Sequence, residues 1–219
     1  MDVGVFDRTE TTDTIISGAA YNLAIGLTLC WGFGINWLLV VNIDPLTIAS
    51  INPWLFLIGY FASCFFGIYL FKSSDKPIVS FIGYNFVVVP FGLIINLVVS
   101  RYSEALVSEA IRITGLVTIG MMVLGSLFPA FFKKIYGALT IALILVIIVE
   151  LVEVFVFGVH HGIIDWIVVL IFCGYIGYDW GRANQIPKTL DNAIDSAAAL
   201  YMDIINLFLR ILRILGRRK

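Results

Sequence analysis

Apolar positions along this chain come in long blocks broken by short polar punctuation. A hydrocarbon core about 30 Å thick takes roughly 20 apolar residues as helix. Blocks of that kind run at about 19–41, 54–71, 78–99, 111–132, 136–158 and 163–178, and a seventh from about 191 to 215. The separators are "NIDPLTIASINP", "KSSDKP", "SRYSEA", "FFKKIYG", "GVHHGIID" and "GRANQIPKT". Pro, Gly, Ser and charge gather in them, as helix breakers do. No separator is long enough to announce a second domain. The pattern predicts an all-α integral membrane protein with seven transmembrane helices: a polar leader at 1–18, one transmembrane domain at 19–215 and a basic tail at 216–219.

Composition strengthens the membrane assignment. Of 219 residues, 60% are hydrophobic and 13% charged, against about 45–50% and roughly 25% in soluble domains. A chain of this length cannot hide the excess in one larger core, so lipid is the fitting solvent. The net charge of -1 points to no nucleic acid and no acidic partner. Cys30, Cys64 and Cys173 sit in apolar stretches without paired metal spacing and read as small buried hydrophobes. The start, "MDVGVFDRTETTDT", is acidic and polar, unlike a cleaved signal.

Lys and Arg in short loops set orientation. Arg8, Lys72, Lys76, Lys133, Lys134, Arg182 and Lys188 fall on one side, against Arg101 and Arg112 on the other. The N-terminus is therefore expected in the cytoplasm. The seventh stretch is awkward, because spanning would deliver the tail "GRRK" to the outer face. A re-entrant helix would return that charge, provided protein shields its backbone. Spanning is the favoured expectation.

Ionisable residues inside membrane segments are expensive and mark functional candidates. On the seventh stretch Asp195, Asp203, Asn206, Arg210 and Arg213 project within a sector of roughly 80° at about 100° per residue. Two readings of this stripe stand. It lies along the interface, with Asp195 at a watery entrance and the arginines snorkelling to headgroups; or it faces the interior and lines an ion route. Asp203 favours the second, being flanked by "SAAALYM" and "IINLFL". Asp179 is expected to end the sixth stretch, where the negative end of the helix dipole disfavours an acid without a partner or proton.

The sixth and seventh stretches are joined by a short loop and are expected to be antiparallel neighbours, close enough for Asp179 and Asp203 to meet. Spacing alone does not prove the pairing. Two carboxylates that do meet away from water cannot both ionise cheaply and tend to share one proton. Loss of that proton would part them and leave two hard oxygen ligands suited to transient Ca²⁺. Glu150 and Glu153 share a face of the fifth stretch, near His160, His161 and Asp165; they read as a solvated outer rim or a cation-attracting mouth. "HHGIID" is no zinc motif. "GAAYNLAIG" and "WGFG" read as close helix packing, not phosphate binding.

The segments "GYIGYD" and "ALYMDIINLFLRILRILG" resemble the Bax inhibitor-1 family, in its bacterial branch. "FKSSDKPIVSF" and "VLGSLFPAFFKKIYGAL" match the family in layout. The resemblance implies a seven-helix fold whose C-terminal helix is central and surrounded by the other six. It also implies a pH-sensitive calcium leak in the plasma membrane, with Asp179 and Asp203 as the proton-sharing sensor. An arginine that latches onto the acid pair in a bacterial relative has only Lys72 to stand for it here, a point charge without the guanidinium fork. Arg210 stands where relatives usually carry an uncharged residue.

The leading expectation is thus a leak for Ca²⁺ regulated by H⁺, needing no cofactor, acting as a monomer in the lipid bilayer. A Ca²⁺/H⁺ exchanger using the same acids and a non-transporting scaffold are the alternatives. An enzyme is not expected: there is no GxSxG elbow, and the two histidines lie side by side. A retinal receptor would need a lysine that the seventh stretch lacks before Lys219.

Overall fold

The computed structural model describes residues 14–158 and 161–217, the side chains of residues 71 and 72 excepted. Most of the expected leader therefore lies outside the described residues. Eight α-helices and no strand occur among those described: α1 (Gly18–Asn42), α2 (Pro45–Ala49), α3 (Pro53–Ser73), α4 (Pro77–Val99), α5 (Glu104–Leu127), α6 (Pro129–Val152), α7 (Gly162–Ala183) and α8 (Leu190–Arg217). Six of them, α1 and α3 to α7, are long and apolar enough to cross a membrane. α8 is longer still, at 28 residues or about 42 Å, but carries more charge.

Helix boundaries follow local chemistry. The Ser17 hydroxyl caps α1 by accepting from the Ala20 N–H at 3.2 Å. Asn52 caps α3, and α2, α3, α4 and α6 each open on proline, where the missing N–H costs nothing. The Thr189 hydroxyl receives the Asn192 N–H at 3.1 Å and starts α8. Two expected boundaries were displaced. The fourth expected crossing, α5, begins at Glu104, behind its Ser103 cap, and stops at Leu127 because Pro129 opens the next helix. "FFKKIYG", expected as a loop, accordingly forms the first turns of α6. That helix widens into a single π turn, Glu153–Phe157, closed by Gly158 in the left-handed region at φ 62°.

The chain forms two compact units. The first takes Met1–Arg101 with Ile186–Tyr201, hence α1 to α4 and the N-terminal part of α8. Within it α4 packs on α1 and α3. Gly67 and Gly83 let α3 and α4 approach until a Cβ on either would meet the other's carbonyl oxygen, at 2.6 and 2.8 Å. Buried polar groups of α8 are satisfied locally: Ser80 Oγ donates to Asp191 Oδ1 at 2.5 Å, and Asn36 Nδ2 to the Tyr201 hydroxyl at 2.7 Å.

The second unit takes Tyr102–Gln185 with Met202–Lys219. α7 packs on both α5 and α6. Its glycines face the partners: Gly177 meets Gly125 of α5 and the Phe132 ring of α6, while Gly174 lies under Leu139. Tyr136 stacks on Tyr178 at 4.1 Å, and Trp180 Nε1 donates to Ser126 Oγ at 2.8 Å.

Candidate functional site

Two groups of charged residues in the second unit stand at opposite ends of the α7–α8 pair. Asp179 and Asp165 are 14 residues apart on α7 (179 − 165), as are Asp203 and Arg217 on α8 (217 − 203). Asp179 meets Asp203 and Asp165 meets Arg217. Equal spacing along both helices is the signature of antiparallel packing in constant register, and each gap covers about 21 Å of helix.

At the first end the carboxyl groups of Asp179 and Asp203 interact directly, side chain to side chain. Asp203 is 7% exposed; Asp179 is half-buried. Asp179 does not end its helix as expected. α7 continues through "WGRA" to Ala183, because nothing there breaks it until Asn184 and Pro187. The extra turn places Arg182 at i+3 from Asp179, on the same face, and the guanidinium acts electrostatically on that carboxyl. Tyr175, one turn earlier, faces the same pair and donates its hydroxyl to Thr140 Oγ1 at 3.1 Å.

Among the described residues no group of three or more His, Cys, Asp or Glu side chains is placed to hold a metal ion. Two carboxylates fall short of the six to eight oxygens that Ca²⁺ seeks.

At the second end acids and arginines interlock. Arg210 Nη2 donates to Glu150 Oε2 at 2.8 Å, while its Nη1 reaches Glu150 Oε1 and, at 3.0 Å, Asp165 Oδ1. Arg213 Nη1 donates to the same Asp165 oxygen at 3.2 Å, and Arg217 Nη2 lies 3.1 Å from its Oδ2. Asp165 is 0% exposed. A buried carboxylate held by three guanidinium groups keeps its charge compensated. The helix dipoles agree, with Asp165 in the first turn of α7 and Arg217 in the last of α8.

This arrangement changes several expectations. Glu150 is bound into an ion pair and is not a bare carboxylate on a rim. Glu153, on the π turn, takes the His161 ring Nδ1 at 2.7 Å and its backbone N–H at 3.2 Å, closing the α6–α7 connection; His160 lies outside the described residues. Arg210 grips buried acids instead of snorkelling. Asp195 is 2% exposed, not at a watery entrance, and belongs to the first unit. Asn206 spends its amide on the Met202 carbonyl at 2.8 Å, one turn back on its own helix. Lys72 falls in α3, and its side chain lies outside the described part.

Sequence reasoning set Asp165 near Glu150 and Glu153 without giving it a role, and missed Arg182 and Arg217 as members of these groups. Arg182 was accessible through its i+3 relation to Asp179. The meeting of Asp165 with Arg217 became visible only through the register.

Residues 15–219 match the family described as "Inhibitor of apoptosis-promoting Bax1". Among curated proteins, an uncharacterized membrane protein of Streptococcus pyogenes is 29% identical over 133 residues, which cover 58% of each chain. An uncharacterized membrane protein of Vibrio cholerae is 32% identical over 111 residues, covering 50% of this chain and 49% of that one. Bax inhibitor 1 of Schizosaccharomyces pombe is 29% identical over 175 residues, covering 76% of this chain and 63% of its own. The match thus spans little more than half the length of the streptococcal relative. With the family matched along nearly the whole chain, this protein belongs to the Bax inhibitor-1 family.

Proposed function

We propose that the protein is a proton-regulated leak for Ca²⁺ across a bacterial plasma membrane, with Asp179 and Asp203 as sensor and gate. The observation that supports the reading is the direct carboxyl–carboxyl contact between α7 and α8. A shared proton makes that contact attractive. Two unit charges about 4 Å apart at an effective dielectric near 20 repel by about 4 kcal/mol, so removing the proton turns the same contact into a force that parts the helices. Arg182 steadies Asp179 in the parted state. The separated carboxylates then offer oxygen ligands to a passing cation, which is cargo and not a resident cofactor.

In this reading α8 is a seventh crossing, central in the bundle. Its register against α7 carries Arg217 to the level of Gly162, the first residue of α7, as a spanning helix requires. The N-terminus is cytoplasmic, on the side of Lys76, Lys133, Lys134 and Lys188. No cofactor and no chemical catalysis are needed, and one chain suffices.

The test is Ca²⁺ flux into sealed proteoliposomes as a function of pH. Flux should rise as pH increases through the titration of the pair, because protonation closes. Asp203→Asn or Asp179→Asn should each flatten that rise. Unchanged pH dependence in both variants sinks the sensor assignment. An imposed proton gradient that drives Ca²⁺ uphill would identify an exchanger instead.

A further inference from the structure

We infer that the first unit holds one hydrocarbon chain of a bilayer lipid in a groove between α1 and α3, floored by α4. The groove is a cavity of about 700 Å³ whose lining lies wholly within that unit, a volume in the range of ligand pockets. Its shape follows from helical rows. Phe81, Asn85, Val89 and Leu93 recur every four residues along α4, and Leu55, Gly59 and Ser63 do so along α3. The α4 row spans 12 residues (93 − 81), or about 18 Å of helix. Toward the Phe81 end the walls draw together. Gly67 and Gly83 bring α3 onto α4 there, and the rings of Trp31 and Phe81 stand 5.6 Å apart. The other end runs out at Ile51, in the connection between α2 and α3 beside Ser50 and Asn52, so a chain enters there and leaves its headgroup outside.

The chemistry of the lining identifies the occupant. No charged residue lines the groove, and its polar side chains are already bonded within the protein. Trp31 Nε1 donates to Asn85 Oδ1 at 3.0 Å, and Asn85 Nδ2 to the Phe81 carbonyl at 2.8 Å. Pro90 has no N–H to return to the Phe86 carbonyl, and Ser63 Oγ donates to it instead at 2.7 Å. The Tyr60 hydroxyl pairs with Cys64, one turn on. A peptide or a headgroup seated here would bring polar groups without partners, which is costly away from water. Hydrocarbon brings none. Gly59 adds a separate observation, since glycine inside a helix is destabilising relative to alanine. At Gly67 and Gly83 close backbone approach accounts for it, whereas a Cβ at Gly59 would meet no neighbouring atom within 4 Å. No contact inside the protein explains that missing side chain, and its absence keeps the groove open at the middle of the α3 row. The mouth opens on the lipid-facing surface, with Leu55 65% and Val89 41% exposed, so the surrounding bilayer supplies the chain directly.

Native mass spectrometry of the full chain, released from detergent with equal dioleoyl phosphatidylglycerol and dioleoyl phosphatidylethanolamine, counts what stays bound. One lipid per chain should be retained, the two headgroups within twofold of each other. Gly59→Leu, which fills open space, should cut retention at least threefold. Gly120→Leu, at an equally open position on α5, should leave it unchanged. A loss below threefold in Gly59→Leu, or a matching loss in Gly120→Leu, overturns the proposal. A headgroup ratio above twofold overturns it as well, because recognition would then lie at a polar site. A dimer that Gly59→Leu abolishes would give the groove to a second copy and overturn the lipid. Should Gly59→Leu fail to fold, the unmodified protein decides. Phosphatidylglycerol carrying a diazirine in its acyl chain should label residues 51–63 and 81–93 at least threefold more than α6, whose apolar side chains are widely exposed; a smaller excess overturns the proposal.

Discussion

Two ends of one helix pair solve the same problem in opposite ways. α7 and α8 bury charge both where Asp179 meets Asp203 and where Asp165 meets Arg210, Arg213 and Arg217. At the first end like meets like, and only a proton makes the contact comfortable. At the second, opposite charges neutralise one another. The lesson is that buried charge by itself says little about regulation. The sign of the partner decides whether a contact is a fastening or a switch.

The largest effect that tests this contrast should come from Asp165→Asn. It strands three guanidinium groups with Glu150 as their remaining acid in the cluster, and breaking a buried ion pair by removing one partner costs about 3–5 kcal/mol. Thermal unfolding in detergent should show a large fall in Tm. Asp203→Asn removes one of two like charges, so it should leave Tm little changed while flattening the pH response of flux. Equal losses of stability in the two variants would break the comparison.

Packing comes next. A Cβ at Gly125 would run into the backbone of Gly177, so Gly125→Ala should cost about 1–3 kcal/mol by forcing α5 off α7. The cost should appear in Tm at every pH and leave the shape of the pH–flux curve intact. Arg210→Lys is smaller. It keeps the charge but loses the fork that takes both Glu150 oxygens, a loss of about 1.5 kcal/mol for one charged hydrogen bond. Smallest should be Glu153→Gln. Glu153 is 9% exposed, but its partner His161 is largely exposed, and ion pairs open to solvent contribute about 0–1 kcal/mol. A Tm shift rivalling that of Asp165→Asn would show that the α6–α7 turn matters more than this account allows.

Legibility in the sequence differed sharply between fold and site. The apolar blocks announced seven crossing helices; among the described residues six have the length and composition to cross a membrane, and the seventh stretch forms the more charged α8. Errors lay at edges: proline at position 129 fell inside the block expected at 111–132, whereas it opens α6 immediately after α5 ends. Likewise "GRA", the opening of the separator "GRANQIPKT", looked like punctuation because of its glycine and charge, yet it continues α7. Of the stripe on α8, angular arithmetic put Asn206 among the functional candidates; its amide instead serves its own helix. Arg210 and Arg213 were set on one face correctly, but what that face meets was beyond reach.

The sequence on its own determined that the chain is helical and lipid-bound, since a helix satisfies its backbone from within and an apolar block declares its solvent wherever it is placed. It also marked Asp203 as an acid buried within an apolar helix. Only the tertiary structure decided which ionisable residues meet. Arg210 reaches Glu150 across 60 residues of chain and Asp165 across 45, and those encounters depend on the register of packed helices, which glycines such as Gly125 and Gly177 fix by letting backbones touch. No local stretch encodes a register. It emerges when whole faces fit, and with it the difference between a pair of acids and an acid among arginines.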